Sequence, residues 1–424
     1  MASGFRRMAG MTNVTIDGER LWGTLMETAA IGATAKGGIR RLTLSDEDRR
    51  VRDWFKAACE EAGCTVTVDR IGNMFARREG RNPGLPPICM GSHLDAQPTG
   101  GKFDGVLGVL AGLEALRSLH AIGYETNAPL EVINWTNEEG ARFTPAMMAS
   151  GAFAGVFTED YVLSRRDRDG ASFAEAIEAI GYRGEAPVGG RPFSAMFELH
   201  IEQGPILEAE GKTIGVVTGV QAIRWFELTI RGADAHAGAT PMRNRRDALA
   251  GAARAVLAVE EVALAHGPDG VGTVGILECR PGSTNVVPGE VFLTVDLRHP
   301  LDSTLACMEE DLRGRLAAVQ GKLDFELERI WVSPAVHFDE RLIGHVREAA
   351  ERLGLPHRDI ASGAGHDAVY VAKVAPTTMI FVPCREGISH NEAEESTPAQ
   401  CAAGAQVLLN AVLAFDATLE GSAR

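Results

Sequence analysis

The chain has 424 residues, of which 45% are hydrophobic and 23% charged, and its formal net charge is −15. These proportions are those of an ordinary globular protein of one to three domains. The acidic balance argues against nucleic acid and anionic membranes as partners, because both attract basic patches. We find no stretch that approaches the roughly 18 consecutive apolar residues of a membrane span.

The N-terminus and the cysteines favour a cytoplasmic protein. Residues 1–11 contain Arg6 and Arg7 but no apolar segment behind them, which argues against a secretory signal. The seven cysteines are scattered and never spaced as Cys-x-x-Cys. We therefore expect reduced thiols rather than disulfides or metal ligands.

Two amphipathic helices open the chain, and strands and helices then alternate. Ser45 is a predicted N-cap of the second helix, and Gly63 is a natural stop. The strands are short, aliphatic and hardly alternating, which is typical of central strands covered on both faces. This pattern predicts an α/β layered domain. The predicted helices are 17–33, 45–62 and 104–120, and the predicted strands are 87–90, 130–135, 196–201, 213–220 and 378–382.

The segment from about residue 223 to 332 has a different pattern. Its element order, βαββαβ, predicts a ferredoxin-like sandwich. The predicted elements are strands 225–231, 271–279, 290–298 and 323–331 with helices 244–266 and 303–319. Helices 339–353 and 398–415 then surround the last strand. We therefore predict a discontinuous aminopeptidase-like catalytic domain, 1–222 and 333–424, into which a lid and dimerisation domain, 223–332, is inserted.

Histidine and carboxylate residues recur at or near the ends of the predicted strands of the larger domain. Side chains of these types suit a pair of divalent transition ions. The carboxyl ends of strands are also where α/β sheets form their sites. Two ions that share a water make a hydrolase. The candidate residues are His93, Asp95, Asp104, Glu138, Glu139, His200 and His390.

Each candidate also has a simpler explanation when taken alone. Aspartates are common in turns, Asp104 is suited to cap a helix, and two glutamates in a row are typical of a solvated turn. The clustering favours the metal site. His93 and Asp95 are two residues apart at a strand end, so we expect Asp95 to accept the second ring N–H of His93. Of the adjacent Glu138 and Glu139, one can bind metal while the other acts as general base.

At these residues the chain resembles the dinuclear-zinc amidohydrolases related to aminoacylase and carboxypeptidase. Within that clan it resembles the group of carbamoyl-amino-acid hydrolases, β-ureidopropionases and allantoate amidohydrolases, from about residue 20 to 418. His200 distinguishes the branches, because the peptidases carry a carboxylate there. The motifs that carry the resemblance are Gly91-Ser92-His93-Leu94-Asp95, Gly101-Lys102-Phe103-Asp104-Gly105, Asn137-Glu138-Glu139-Gly140, Leu199-His200-Ile201-Glu202-Gln203-Gly204-Pro205 and Ser362-Gly363-Ala364-Gly365-His366-Asp367.

The resemblance implies two divalent ions per subunit, with Asp104 as the bridging ligand. Zinc is the expected metal, and manganese, cobalt and nickel accept the same ligand types. Glu138 would be the general base, and Asp95 would orient a ligand. The other implied ligands are His93 and His200 for one ion, and Glu139 and His390 for the other.

The resemblance also implies substrate contacts and a homodimer. His236 would stabilise the oxyanion, often across the dimer, and Asn285 and Arg298 would bind substrate. Without the resemblance, Asn285 is equally well explained as a turn residue and Arg298 as a surface cation. The implied substrate contacts of the larger domain are Gln203, Gly363 and Gly365.

The implied reaction is hydrolysis of the ureido C–N bond in a small molecule that also carries a carboxylate. Residues 97–102 and 227–256 are most similar to the β-ureidopropionase branch, which makes N-carbamoyl-β-alanine or an N-carbamoyl-L-amino acid the expected substrate. The products would be amino acid, ammonia and carbon dioxide. Allantoate amidohydrolase and ureidoglycolate-type hydrolase are the alternatives. A dipeptidase is disfavoured by His200, and a non-catalytic interaction protein by the complete ligand set beside Glu138.

Overall fold

The computed structural model describes residues 14–419. Residues 1–11, on which the argument against secretion rests, lie outside this range. The chain divides into two compact units: residues up to Thr218 and from Phe338 form the larger, and Gly219–His337 the smaller. These boundaries lie a few residues outside the predicted ones.

Strands and helices alternate through most of the described chain. The strands are β1 Thr65–Val68, β2 Met74–Arg78, β3 Ile88–His93, β4 Leu130–Trp135, β5 Ala195–Ile201, β6 Ile214–Val220, β7 Ala222–Arg231, β8 Ala235–His236, β9 Val271–Thr273, β10 Leu277–Arg280, β11 Val286–Val287, β12 Glu290–His299, β13 Asp324–Ser333, β14 Val336–His337, β15 His357–Ser362 and β16 Thr377–Val382. The helices are α1 Gly18–Ala29, α2 Asp46–Glu61, α3 Val106–Ala121, α4 Met148–Phe153, α5 Glu159–Ser164, α6 Phe173–Ala179, α7 Ile206–Ala209, α8 Ala248–Ala265, α9 Asp302–Gln320, α10 Glu340–Arg352, α11 Asp367–Val371 and α12 Pro398–Leu419.

The larger unit is built on a mixed sheet in which the strands follow the order β1-β2-β4-β3-β5-β16-β6. Its four central strands, β4, β3, β5 and β16, are parallel neighbours. Every residue of these four strands is buried, which explains why their sequences are aliphatic runs without alternation. Their carboxyl ends meet at one edge of the sheet, where a site is expected.

The expectation that the chain has no stretch able to span a membrane is corrected at helix α12. It is long and apolar enough to cross a membrane by length and composition, although the sequence analysis found no such stretch. Its most apolar window is 61% buried, and the helix packs against α1, α3 and α10. Apolar residues on nearly every side of a helix are also what a core position requires.

The smaller unit has an antiparallel sheet with the strand order β10-β12-β7-β13, and β9 also pairs with β12. Helices α8 and α9 pack on these strands around a core that includes Phe226, Leu228 and Leu293. Because helices cover one face, β12 alternates strictly between buried and partly exposed residues. The single predicted strand 271–279 is two strands, β9 and β10, and Gly275 lies in the break; glycine weakens strand pairing.

Candidate active site

The candidate ligands lie at the carboxyl ends of the central strands. His93 is the last residue of β3, Glu138 follows β4, and His200 is the last residue but one of β5. His390 follows β16, and Asp104 precedes α3. Because the four strands are adjacent and parallel, the fold brings together residues that are separated by up to about 300 positions in the sequence.

His93, Asp104 and His200 form the first group that could hold a metal, with ligand atoms all within 4.8 Å of one another. Nε2 of His200 lies 3.1 Å from Oδ1 of Asp104, and Nε2 of His93 lies 3.6 Å from the same oxygen. All three side chains are buried. This is the first of the two predicted ligand sets.

Asp104 belongs to a second group as well, with Glu139 and His390. Nε2 of His390 lies 3.5 Å from Oδ2 of Asp104 and 3.4 Å from Oε2 of Glu139. The two oxygens of Asp104 therefore face one group each. This is the geometry that a bridging carboxylate needs.

Both buried histidines are oriented as metal ligands are. Nδ1 of His93 lies 2.9 Å from the backbone oxygen of Asp95, and Nδ1 of His200 lies 2.9 Å from the backbone oxygen of Ile201. A carbonyl has no proton to give, so each Nδ1 carries a hydrogen and Nε2 is the nitrogen that faces the other ligands, where a metal ion would replace any proton. The backbone N–H of Gly105 donates to Nε2 of His200 at 3.0 Å, which agrees with this assignment.

The prediction that the ring of His93 donates a hydrogen bond to the carboxylate of Asp95 is wrong. The nearest approach of Nδ1 to that carboxylate is 3.8 Å, because the ring binds the backbone oxygen instead. The carboxylate accepts the backbone N–H groups of Glu138 and Glu139, both at 3.3 Å, and the hydroxyl of Thr43 at 2.7 Å. These N–H groups follow the end of β4, where they need an acceptor. Asp95 thus orients the two glutamates.

The site concentrates carboxylates where water is excluded. Burial, reinforced by Asp367 and Glu139, raises the pKa of Glu138 well above its ordinary value. Burial and the charge of Asp104 raise the pKa of Glu139 to about 8. Burial disfavours a charged ring at His93, yet Glu138 and Asp104 outweigh it and hold the pKa of His93 well above its ordinary value. A site that favours positive charge so strongly, and that offers imidazole and carboxylate ligands, fits divalent cations.

The backbone around the ligands is held in unusual conformations. Gly105 has a φ of +68°, and a Cβ there would lie 2.2 Å from Nε2 of His93, so the residue must be glycine. Asn137, Gln203 and His390 have φ values of 62°, 56° and 53°. Such left-handed backbone is costly for residues other than glycine, and it concentrates at functional sites.

Gln203 touches Asp104 directly. Its Nε2 donates to Oδ2 of Asp104 at 2.8 Å, and the hydroxyl of Ser389 donates to the same oxygen at 2.8 Å. Gly363 and Gly365 lie in the loop between β15 and α11, where Gly365 faces Met147. The substrate contacts expected of these three residues stay predictions.

His236 and Asn285 are neighbours in the smaller unit. The short strands β8 and β11 pair so that His236 stands opposite Val286. The backbone N–H groups of Gly238 and Ala239 both donate to Nδ1 of His236 at 3.1 Å. The neutral ring therefore carries its hydrogen on Nε2, which makes Nε2 a donor. The side chains of His236 and Asn285 are both exposed.

Arg298 lies on β12 and forms an ion pair with Asp296. Its Nε lies 3.0 Å and 3.1 Å from the two carboxylate oxygens, and one terminal nitrogen lies 2.7 Å from Oδ2. Residues two apart on a strand share a face, which explains the pair. One edge of the guanidinium fork is thus taken by the chain's own carboxylate, and the clamp on substrate stays a prediction.

Comparison with known proteins decides the family. Residues 89–414 match the Peptidase family M20/M25/M40. The chain belongs to this family. An N-carbamoyl-L-amino-acid amidohydrolase of Rhizobium meliloti is 49% identical, with 95% of this chain and 97% of that protein covered. A ureidoglycolate hydrolase of Oryza sativa subsp. japonica is 35% identical, with 94% and 85% covered.

A solved structure supports the same family assignment. The crystal structure of an amidase of the hydantoinase/carbamoylase family from Burkholderia multivorans is 57% identical with a TM-score of 0.93, and the match covers 95% of this chain and 99% of that one. The predicted resemblance to the amidohydrolase group and the prediction of an enzyme are confirmed. The chain is an M20-family hydrolase with a mixed α/β fold.

The sequence analysis assigned no role to Glu198 and His366, two buried polar residues of this hydrolase. Glu198, His200 and His366 form a third group of possible ligands within 4.8 Å. The carboxylate of Glu198 accepts the hydroxyl of Ser92 at 2.6 Å and the backbone N–H of Ala368 at 3.1 Å. The signal was available, because Glu198 precedes His200 by two residues in a strand and therefore shares its face.

Glu394 is a second missed residue. Its Oε1 accepts the backbone N–H groups of Phe103 and Asp104 at 2.9 Å and 3.1 Å, and a Cβ on Gly101 would collide with it. Burial and the charge of Asp104 raise the pKa of Glu394 to about 7. Nothing in the sequence pattern indicated this contact, since about 290 residues separate the partners.

Proposed function

We propose that this M20-family hydrolase cleaves the ureido C–N bond of N-carbamoyl amino acids. One observation carries the proposal: Asp104 lies between two ligand groups, and Oε2 of Glu138 lies 3.6 Å from Nε2 of His93 beside them. The 49% identity to the Rhizobium meliloti N-carbamoyl-L-amino-acid amidohydrolase supports this substrate class. Of the two substrates expected from residues 97–102 and 227–256, it favours carbamoyl-L-amino acids over carbamoyl-β-alanine.

We assign two divalent ions to the site, with zinc as the expected metal. His93, Asp104 and His200 would hold one, and Asp104, Glu139 and His390 the other. When bound, such ions lower the pKa of a water and polarise the carbonyl under attack. The tautomers of the two buried histidines and the crowding of carboxylates support the assignment.

The chain's own residues carry the proton and hold the substrate in this proposal. Glu138 takes a proton from the attacking water and gives it to the leaving nitrogen. Asp95 holds the backbone of Glu138 while the proton moves. Water adds to the ureido carbonyl carbon, one C–N bond breaks and ammonia leaves. The N-carboxy amino acid that remains then loses carbon dioxide to give the free amino acid. Nε2–H of His236 and the side-chain amide of Asn285 are assigned as donors to the oxyanion.

The test is ammonia release, measured in parallel with a carbamoyl-L-amino acid, carbamoyl-β-alanine, allantoate and ureidoglycolate after loading with zinc or manganese. The highest kcat/KM is expected for the carbamoyl-L-amino acid. A higher value for ureidoglycolate would favour the second candidate, which the relationship to the Oryza sativa enzyme supports. No turnover of any of the four by the metal-loaded protein would contradict the proposal.

We further propose that residues 223–332 are a ferredoxin-like lid and dimerisation domain, and that 1–222 and 333–424 form the catalytic domain of a cytoplasmic homodimer. Helix α8 supports the dimer, because Leu249, Leu257 and Leu264 are exposed along one side of it. Three uncovered leucines on one helix face are typical of an interface.

Light scattering checks the dimer. We expect twice the chain mass for the wild type and the single-chain mass for the double substitution Leu257→Glu with Leu264→Glu, because buried carboxylates would oppose association. Leu353→Glu changes an exposed leucine of the larger unit and should leave the dimer intact. A wild-type monomer at working concentration would exclude the proposed assembly.

Arg298→Lys tests whether Arg298 binds the carboxylate of the substrate. Lysine keeps the charge but lacks the planar fork, so the orientation of a bound carboxylate is lost. Loss of charge-assisted hydrogen bonds worth about 1.5–3 kcal/mol predicts a fall of about 10- to 150-fold in kcat/KM, mostly through KM. The control is a substrate analogue whose carboxylate is replaced by an amide. If the amide loses as much as the acid, Arg298 is a structural cation and does not bind the substrate's carboxylate.

A further inference from the structure

We propose that Thr43 is a positioning residue for the general base Glu138. Thr43 lies between α1 and α2, and its side chain is 2% exposed. Its hydroxyl donates to Oδ2 of Asp95 at 2.7 Å. Asp95 in turn accepts the backbone N–H groups of Glu138 and Glu139. The hydroxyl of Thr43 therefore orients the carboxylate of Asp95, and that carboxylate orients the backbone of Glu138 and Glu139.

The segment that carries this hydroxyl is joined to the loop after β3. Ile39 and Gly100 exchange two backbone hydrogen bonds, of 2.9 Å and 3.0 Å. The backbone N–H of Ala96 donates to the carbonyl of Arg41 at 2.8 Å, and Nε of Arg41 donates to the carbonyl of Leu94 at 2.6 Å. The segment with Thr43 and the loop that carries Asp95 and Asp104 are therefore joined by hydrogen bonds.

The turn after β4 holds this segment in return. Arg142, at the end of that turn, donates from Nη1 to the carbonyls of Thr43 and Leu44 at 3.0 Å and 2.8 Å. Its Nε donates to Asp167 at 3.0 Å. The side chain of Thr43 thus holds the turn, and a side chain of the turn holds the backbone of Thr43. The two segments therefore restrain each other through hydrogen bonds in both directions.

The turn needs this support because its backbone is strained. Asn137, directly before Glu138, has a φ of 62°, which costs free energy in a residue other than glycine. Without the hydroxyl, the carboxylate of Asp95 loses its 2.7 Å donor and is free to turn away from the two backbone N–H groups. A displacement of about 1 Å in a catalytic group costs on the order of 100-fold in rate.

The test compares Thr43→Val, which keeps the shape and removes the hydroxyl, with Thr43→Ser, which keeps the hydroxyl. Because the inference rests on the proposed function, one readout is kinetic and the other is independent of activity. At full metal occupancy, Thr43→Val should lower kcat by about 10- to 100-fold with KM unchanged, and Thr43→Ser should restore most of it. Hydrogen–deuterium exchange in the peptide covering residues 137–142 should be faster in Thr43→Val and normal in Thr43→Ser.

Thr126→Val is the matched control. Thr126 is fully buried, and its hydroxyl donates to the carbonyl of Ala128 at 2.7 Å, before β4 begins. This variant should lose stability without changing kcat or the exchange of residues 137–142. If Thr43→Val does not fold, Thr43→Ala removes the hydroxyl without placing a methyl group against Asp95, and it should show the same two changes.

The outcomes separate this inference from the proposed function. Wild-type exchange or wild-type kcat in a folded, metal-loaded variant without the hydroxyl would overturn the role of Thr43. Equal impairment of Thr43→Ser and Thr43→Val would do the same, because the hydroxyl would then not matter. If the wild type fails to cleave carbamoyl amino acids while exchange still follows the hydroxyl, the proposed function falls and the positioning role stands.

Discussion

Glu138→Gln is expected to keep the fold and the metal content but to lose at least about 100-fold in kcat, since general acid–base catalysis contributes about 10²–10⁴-fold. The amide has nearly the size of the carboxylate but cannot accept the proton of the attacking water. The backbone N–H of Glu138 would still donate to Asp95, so the turn is not disturbed. Steady-state kinetics together with metal analysis of the same samples measure the effect.

Glu131→Gln is the matched control for this substitution. Like Glu138, Glu131 is a buried glutamate of the β4 region, but it lies near the amino end of the strand and pairs with Arg77 and Arg191. Its substitution should lower stability and leave kcat nearly unchanged. Retention of more than about a tenth of the wild-type rate by Glu138→Gln at full metal occupancy would remove Glu138 from the base role, because general bases contribute far more.

The central sheet could be predicted from the sequence because complete burial leaves a clear pattern. The predicted strand 130–135 is β4 residue for residue, and the last strand differs by one residue from β16. Shorter elements could not be predicted in the same way. The helices α4, α5 and α6 have six or seven residues each. Helices of that length are not stable alone, and packing decides whether they form.

The candidate ligands could be predicted because histidines and carboxylates recur after successive strands. What the sequence could not supply was the direction of each side chain. His93 and Asp95 were correctly placed on one strand end, yet the hydrogen bond forms through the backbone oxygen of Asp95 rather than its carboxylate. Rotamers at a turn depend on neighbours from elsewhere in the chain, and here the neighbours are Thr43 and the turn after β4.

Contacts between distant segments explain the remaining omissions. Thr43 is 52 residues from Asp95, and Glu394 is 290 residues from Asp104. No periodicity relates such positions, because each belongs to a loop rather than to the strand that it supports. The positioning residues of a site are therefore harder to predict from one sequence than the ligands, which lie on regular elements with a known facing pattern.

Asp104→Asn is expected to abolish binding in both ligand groups at once, because Asp104 is the residue that they share. His93→Ala or His390→Ala should each open only one group and leave about one ion per subunit, since each removes a ligand of a single site. Metal analysis after dialysis distinguishes two, one and no ions per subunit. Removal of the exposed His120 should leave the full content.

Thermal unfolding gives a second measurement of Asp104→Asn that does not depend on activity. A ligand present at about 100 times its dissociation constant stabilises the folded state by about 2.7 kcal/mol. The wild type should therefore gain in Tm when zinc is added, and Asp104→Asn should gain little. The asparagine still has one oxygen, but its amide nitrogen is a donor and cannot replace the second carboxylate oxygen that faces His390 and Glu139. Full metal content with an undiminished gain in Tm would show that Asp104 does not bridge the two groups.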